Sequence, residues 1–321
     1  TPKSLPRIRG DEPTVSMNFT MNTSPFAGEE GTYVQSRKIM ERLRRETLQN
    51  VGIQMEEASD SDTYIVKGRG EFQMEILLET IRREGYEVSV GRPQVIFKKR
   101  DGQTVEPIEH LYIDCDEAHI GIVTEKISQR KGQMLNMVNH GTGRVRLEFT
   151  IPTRCLIGYR NEFLTDTRGT GIMSSYLKGY EEFRGEFKSR LTGSLVADRK
   201  GAAAPYALEN LEARGALFVK PGDLVYEGMI VGEYSRDGDL NVNAAKGKKL
   251  TNMRSSTCDD NIILKPVMPM TLGKAITFIR DDEMVEVTPK SIRLRKKILA
   301  ADGRKGSRPR GQKAVEEEEE E

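Results

Sequence analysis

Apolar and polar positions alternate over residues 14–22, so that Val15, Met17, Phe19 and Met21 share one face, the period of two that marks a half-buried strand. After a loop containing Pro25, Gly28 and Gly31 the period lengthens. From Ser36 onward Ile39, Met40, Leu43 and Thr47 recur at helical spacing, with arginines opposite. Short strands follow over 53–58 and 63–67, joined by the polar turn 59–62. A second helix is predicted over 71–84, with Phe72, Ile76, Leu77 and Ile81 on its buried stripe and Gly85 as its stop, before a strand over 86–90. The order is βαββαβ, a split-βαβ sandwich, with Phe19, Leu43, Ile76 and Leu77 expected in its core.

The same order then recurs. A strand over 108–115 precedes a helix over 119–130 carrying Ile120, Val123 and Ile127, and a strand over 133–139 reaches the turn 140–143. Val145, Leu147, Phe149 and Ile151 alternate along the next strand, followed by a helix over 156–165 and a strand over 171–177. Ile113, Val123, Leu147 and Phe149 are its expected core. Past residue 184 the pattern becomes short strands and frequent glycines, with helices over 205–214 and 271–281 and strands over 284–287 and 291–296. The fold class is therefore α+β, two ferredoxin-like βαββαβ domains followed by a β-rich domain. The expected segments are an entry linker over 1–11, domains over 12–91, 92–186 and 187–300, and a disordered charged tail over 301–321.

Charge changes the picture only through its distribution. The 50 Lys and Arg nearly balance 49 Asp and Glu, so net charge points to no partner. Nearly every charge over residues 293–313 is positive and 316–321 are all Glu, the kind of single-sign block that repels itself. The glutamate run stands outside the fold reading. Cys115, Cys155 and Cys258 form no CxxC pair, which argues against a disulfide framework or a thiolate metal site and for a reducing compartment. His110, His119 and His140 lack companions at metal spacing, so no metal site is expected. No apolar run reaches membrane-spanning length, and a monomeric, cytoplasmic protein without a membrane partner is expected. Glu56, Glu57, Asp60 and Asp62 read as a solvated acidic turn.

One stretch stands apart, residues 244–258, AAKGKKLTNMRSSTC. Lys246, Lys248, Lys249 and Arg254 supply cations, while Asn252, Ser255 and neighbouring hydroxyls suit phosphate and sugar. Only Leu250 and Met253 offer themselves to a core, so 244–256 is expected to be exposed, poorly ordered when free, and ordered against RNA. A solvated surface loop is the plainer alternative. Arg154, Arg160, Arg168, Arg199 and Lys200 form a second candidate basic set, with an ordinary mixed-charge surface as its alternative. Lys220-Pro221-Gly222-Asp223 followed by Glu227-Gly228 has the turn pattern of lipoyl and biotinyl carrier domains, but no MKM- or DKA-like tripeptide accompanies it.

Residues 68–99, GRGEFQMEILLETIRREGYEVSVGRPQVIFKK, resemble the third domain of elongation factor G, and residues 105–134 and 160–175 resemble its fifth. The short stretch between the two βαββαβ units, residues 91–106, leaves no space for a tRNA-mimicking fourth domain, which narrows the resemblance to LepA and TypA/BipA. Residues 194–256 resemble the domain peculiar to TypA/BipA, with a LepA-like back-translocation factor as the alternative. The resemblance spans about 11–299. It implies a ribosome-associated translational GTPase linked to large-subunit assembly and to stress and cold adaptation. Its fifth-domain equivalent would face the stalk base, and its basic loop would approach large-subunit rRNA and A-site tRNA. GTP and Mg²⁺ are implied for an intact protein. No GxxxxGK[ST] occurs in these 321 residues, so no catalytic residue is assigned and no GTP hydrolysis is expected of this chain.

Overall fold

A computed structural model of the chain describes residues 12–58, 62–100, 102–139, 141, 143–188, 190–247 and 263–305, without the side chain of Lys305. The described residues divide into two compact units. One combines those of Thr1–Ser189 with Thr271–Phe278 and Val287–Ser291, and the other those of Arg190–Met270, Ile279–Glu286 and Ile292–Glu321.

The first unit opens with β1 (Val15–Met21), α1 (Ser36–Gln49), β2 (Gln54–Glu57), β3 (Thr63–Gly68), α2 (Glu71–Arg83) and β4 (Val88–Val90). The strand order β4-β1-β3-β2 is that of a ferredoxin-like sheet, with Phe19 opposite Tyr64 on one side and Val90 on the other. Val15, Met17 and Phe19 are buried, as the alternation requires, and Ile39 and Leu43 of α1 join them. Arg42, also buried on α1, keeps its charge because Glu84 and Glu46 accept its hydrogen bonds at 2.5–2.9 Å.

The expected face of α2 is corrected. Met74, Leu77, Leu78 and Ile81 are its buried stripe, whereas Phe72 is 61% and Ile76 52% exposed. Both stripes are apolar and both have helical period, so sequence alone does not rank them. The sheet selects the one carrying Met74 and Leu78. The acidic turn is corrected as well, since Glu56 accepts from Lys67 at 2.5 Å and Glu57 from Arg44 at 2.7 Å. Its residues 59–61 lie outside the described residues.

The loop between β1 and α1 has an organising centre that no periodicity reveals. The fully buried carboxylate of Glu87 accepts hydrogen bonds from the backbone N–H groups of Gly28 at 2.8 Å, Glu30 at 3.1 Å and Gly31 at 2.6 Å, and from the Asn22 amide at 3.3 Å. A charge without water is tolerable there because donors surround it.

Two short strands, β5 (Gln94–Val95) and β6 (Lys98–Arg100), lead to the second repeat: β7 (Gln103–Asp116), a 3₁₀ turn at Glu117–His119, α3 (Ile120–Gln129), β8 (Gln133–Asn139), β9 (Arg144–Pro152), α4 (Thr153–Leu156), α5 (Tyr159–Asp166) and β10 (Ile172–Glu182). The order β10-β7-β9-β8 repeats that of the first sheet. Ile113, Val123, Leu147 and Phe149 are all fully buried, as expected. The buried Cys115 and Cys155 are free thiols, and burial pushes that of Cys155 up to about 11.

The single helix expected over 156–165 is instead broken into α4 and α5. Gly158 makes the break with φ +78°, a left-handed conformation that glycine adopts without a Cβ penalty. Its freed N–H donates to the Glu71 carboxylate at the start of α2, at 2.8 Å. Helix α7 (Leu272–Phe278) belongs to this same unit and lies against α2.

The second unit contains β11 (Gly193–Ala197), β12 (Gly201–Ala202), α6 (Pro205–Glu212), β13 (Gly215–Leu217), β14 (Leu224–Val225), β15 (Met229–Tyr234), β16 (Leu240–Val242), most of β17 (Glu283–Val287), β18 (Ile292–Lys296) and α8 (Ala301–Lys305). Strand β16 runs parallel to β11, with Leu195 opposite Leu240, and β11 pairs antiparallel with β15. Helix α6 stops at Glu212 because the chain must turn immediately into β13, whose Gly215 approaches the Glu233 carbonyl too closely for any side chain. The stretch 301–305, expected to be disordered, is α8, and its Arg304 donates to the carbonyls of Ile298 and Leu299.

Burial, opposed by the Gly158 N–H and reinforced by nearby Glu75, raises the Glu71 carboxyl to about 7. A carboxyl held above its unfolded value stabilises the fold below about 4.5, and that contribution is lost as pH rises through 7. The loss amounts to roughly 3 kcal/mol in the limit. Melting temperature should therefore fall between pH 5 and 8 more steeply for the unaltered chain than for Glu71→Gln, which keeps an acceptor for Gly158. Parallel melting profiles would contradict this assignment.

Candidate nucleic-acid interface

The basic segment emerges from β16, so its position depends on what holds that strand. Asp239, the residue before β16, receives Lys296 Nζ at 2.5 Å, and the same ammonium reaches Asp282 at 2.8 Å and Glu283 at 2.9 Å. Lys296 is 1% exposed and Glu283 is 0%. Glu283 also accepts from Ser194 Oγ at 2.7 Å, the Arg280 N–H at 2.7 Å and Arg190 Nη2 at 3.1 Å. Burial alone would push the Lys296 ammonium down and the Glu283 carboxyl up. The partners reverse both, raising Lys296 chiefly through Glu283 and Asp239 and lowering Glu283 chiefly through Lys296 and Arg190. The cluster ties β11, β18, the start of β17 and the approach to β16 into one frame.

Beyond β16 the chain stays anchored for two residues. Ala244 is buried, which corrects the expectation that the loop is exposed from its first residue, and its carbonyl accepts from the Ala204 N–H at 2.9 Å. Asn243 Oδ1 then accepts from the Ala245 N–H at 3.1 Å. Lys246 is exposed, and among the described residues no carboxylate pairs with it. Lys248, Lys249, Asn252, Arg254 and Ser255, with Leu250, Met253 and Cys258, lie outside the described residues.

The second basic set is divided between the two units. Arg154 is committed to the buried Glu106 at 2.5 Å and to the Gly185 carbonyl. Arg160, at the start of α5, stands 6.0 Å from the exposed Phe72 ring, and Arg168 sits at φ +50° in the turn after α5. Arg199 is exposed on the β11–β12 turn and paired with neighbouring Asp198 at 3.0 Å, with Lys200 exposed beside it. Arg160 and Arg168 belong to the first unit, Arg199 and Lys200 to the second.

Sequence reasoning missed the surroundings of Lys246. Tyr206, Asn210 and Arg214 follow one another at helical spacing along α6 and its final turn, and they face Asn241, Asn243 and Lys246 across a cleft of about 410 Å³. The i, i+4, i+8 spacing was a readable signal, but only the parallel β11–β16 pairing brings the asparagines opposite it. Among the described residues, no cluster of three or more His, Cys, Asp and Glu side chains is placed to hold a metal ion, and no helix is long and apolar enough to cross a membrane.

Residues 192–301 match the family described as TypA/BipA C-terminal domain, and residues 103–191 match that described as Elongation factor G C-terminus. The chain is 48% identical over 312 residues to the large ribosomal subunit assembly factor BipA of Salmonella typhimurium. The chain belongs to the TypA/BipA family. That match covers 97% of this chain and 51% of the Salmonella protein. BipA of Haemophilus influenzae is 49% identical, over 95% of this chain and 50% of its own, and BipA of Bacillus subtilis 48%, over 92% and 48%. The chain spans about half the length of the curated relatives it matches. The family resemblance and the α+β class read from the sequence both hold.

Removing one member of a buried charge cluster leaves its partners undercompensated, at up to about 3–5 kcal/mol. Glu283→Ala should therefore lower stability by an amount of that order in chemical denaturation, whereas Arg199→Ala, at an exposed pair, should leave the transition almost unmoved. Equal effects would mean the cluster is not the frame of this unit.

Proposed function

We propose that this chain is the ribosome-binding part of a TypA/BipA-type translational GTPase, with the segment following β16 as its RNA-contacting element. The observation that carries the reading is the combination of 48% identity to large ribosomal subunit assembly factors with a cationic segment rooted on a rigid strand. Lys246, Lys248, Lys249 and Arg254 neutralise rRNA or tRNA phosphates and release counterions, while Asn252 and Ser255 reach sugar hydroxyls. Arg160, Arg168, Arg199 and Lys200 are secondary contacts. Of these, Arg199 already has its guanidinium engaged by Asp198.

The partners in this reading are the large subunit, its stalk base and A-site tRNA, met by a monomer in the cytoplasm. GTP and Mg²⁺ serve the intact protein, whose nucleotide-binding elements have no counterpart in these 321 residues. The domain division of 12–91, 92–186 and 187–300 remains part of this reading.

Exposed substitutions usually change stability by less than about 0.5 kcal/mol. Replacing Lys248, Lys249 and Arg254 together with alanine should leave melting almost unchanged, lower co-sedimentation of the chain with large ribosomal subunits, and flatten its salt dependence by roughly 0.7–0.9 log units per lost phosphate contact. Lowered melting with unchanged co-sedimentation would make the segment structural and overturn the proposal.

A further inference from the structure

The cleft between α6 and β16 has a composition that the RNA-binding reading does not require. Its floor is apolar, made by the buried Ala207, Leu211 and Val242. Among the described residues its rim is polar, carries two cations, Arg214 and Lys246, and includes no carboxylate. Among the described residues neither cation is neutralised by an ion pair, and both are exposed. A volume of about 410 Å³ lies within the roughly 300–1,000 Å³ of small-ligand sites.

The hydrogen bonds already made on the rim define what remains to be filled. Asn210 donates from Nδ2 to the Tyr206 carbonyl at 2.6 Å, leaving its Oδ1 as an acceptor. Asn241 Oδ1 accepts from Arg304 at 2.7 Å and Asn243 Oδ1 from Ala245, so each of these amides keeps its NH₂ group and one oxygen lone pair for other partners. The rim thus offers a guanidinium and an ammonium beside three amides and the Tyr206 hydroxyl, so that donors outnumber acceptors and both charged donors are cationic. A ligand that fits is anionic, rich in acceptors at one end, and flat and partly apolar at the other.

We propose that this cleft is a nucleotide-binding site, taking one 5′-phosphorylated nucleotide unit. The phosphate lies between Arg214 and Lys246. The base lies on the Ala207–Leu211–Val242 floor beside Tyr206, and the asparagine amides read its edge. The same chemistry is presented by a nucleotide splayed from an RNA strand and by a free nucleoside monophosphate. Recognition of an unstacked base on an apolar and aromatic surface is how single-stranded RNA is commonly held. The first source rests on the RNA-binding reading above, whereas the second is independent of it.

The test uses the whole chain at low salt, with the four nucleoside 5′-monophosphates, the unphosphorylated nucleosides, inorganic phosphate and a labelled hexaribonucleotide as probes, in titration calorimetry and fluorescence anisotropy. At least one monophosphate should bind saturably and more tightly than its nucleoside or phosphate alone. Arg214→Ala together with Asn243→Ala should weaken it roughly tenfold or more, as expected for losing a charge-assisted hydrogen bond, with melting lowered only slightly by loss of the Asn243–Ala245 hydrogen bond. The triple alanine variant at Lys248, Lys249 and Arg254 should bind the monophosphate as the unaltered chain does, even where it loses ribosomal subunits. Competition between monophosphate and hexaribonucleotide identifies the strand as a source, and its absence identifies a free nucleotide; either supports the site. Failure of every monophosphate to bind, or binding no tighter than phosphate alone or unchanged in the Arg214/Asn243 variant, overturns it. Co-sedimentation with subunits retained beside that failure would leave the RNA-binding reading standing.

Discussion

A lysine ammonium buried to 1% exposure among three carboxylates is the constraint on which the second unit depends. Apolar burial draws the strands together, but it is indifferent to small shifts in register. The Lys296 cluster is not, since each of its hydrogen bonds has a fixed length and leaving any buried charge unmatched is costly. Because Asp239 belongs to the cluster and immediately precedes β16, the cluster also fixes where the basic segment leaves the sheet.

The first unit solves a related problem with backbone donors. Glu87 collects three N–H groups of one loop, and Glu71 takes the N–H that Gly158 releases at the α4–α5 break. In both places a carboxylate withdrawn from solvent, fully at Glu87 and partly at Glu71, satisfies donors that irregular backbone leaves without partners. The two carboxylates differ in consequence. Glu87 sits among several donors, whereas Glu71 has one backbone donor against strong burial, which makes it the group whose ionisation weakens the fold near neutral pH.

Much of this architecture was legible in the sequence because strands and helices impose different apolar periods. Val15, Met17 and Phe19 could only alternate, and the recurrence of βαββαβ carried the second domain. What escaped had a physical reason in each case. Phe72 and Ile76 form a helical stripe as regular as the one that is buried, so the choice lay with the sheet. The break at Gly158 needs Glu71, far away in sequence, to receive its N–H. At the candidate interface the cations of 246–254 announced themselves by density, but the cleft beside them did not. Asn241 and Asn243 become neighbours of Asn210 and Arg214 only through a parallel strand pairing, which leaves no local signature.

The central claim is that a rigid root presents a basic segment to RNA. Amide hydrogen exchange along 240–256, with and without large-subunit rRNA, tests it most directly. The account predicts that the amides of β16 are protected in both states and that those of 246–256 gain protection only when RNA is present. Protection of 246–256 that is the same with and without RNA would contradict it.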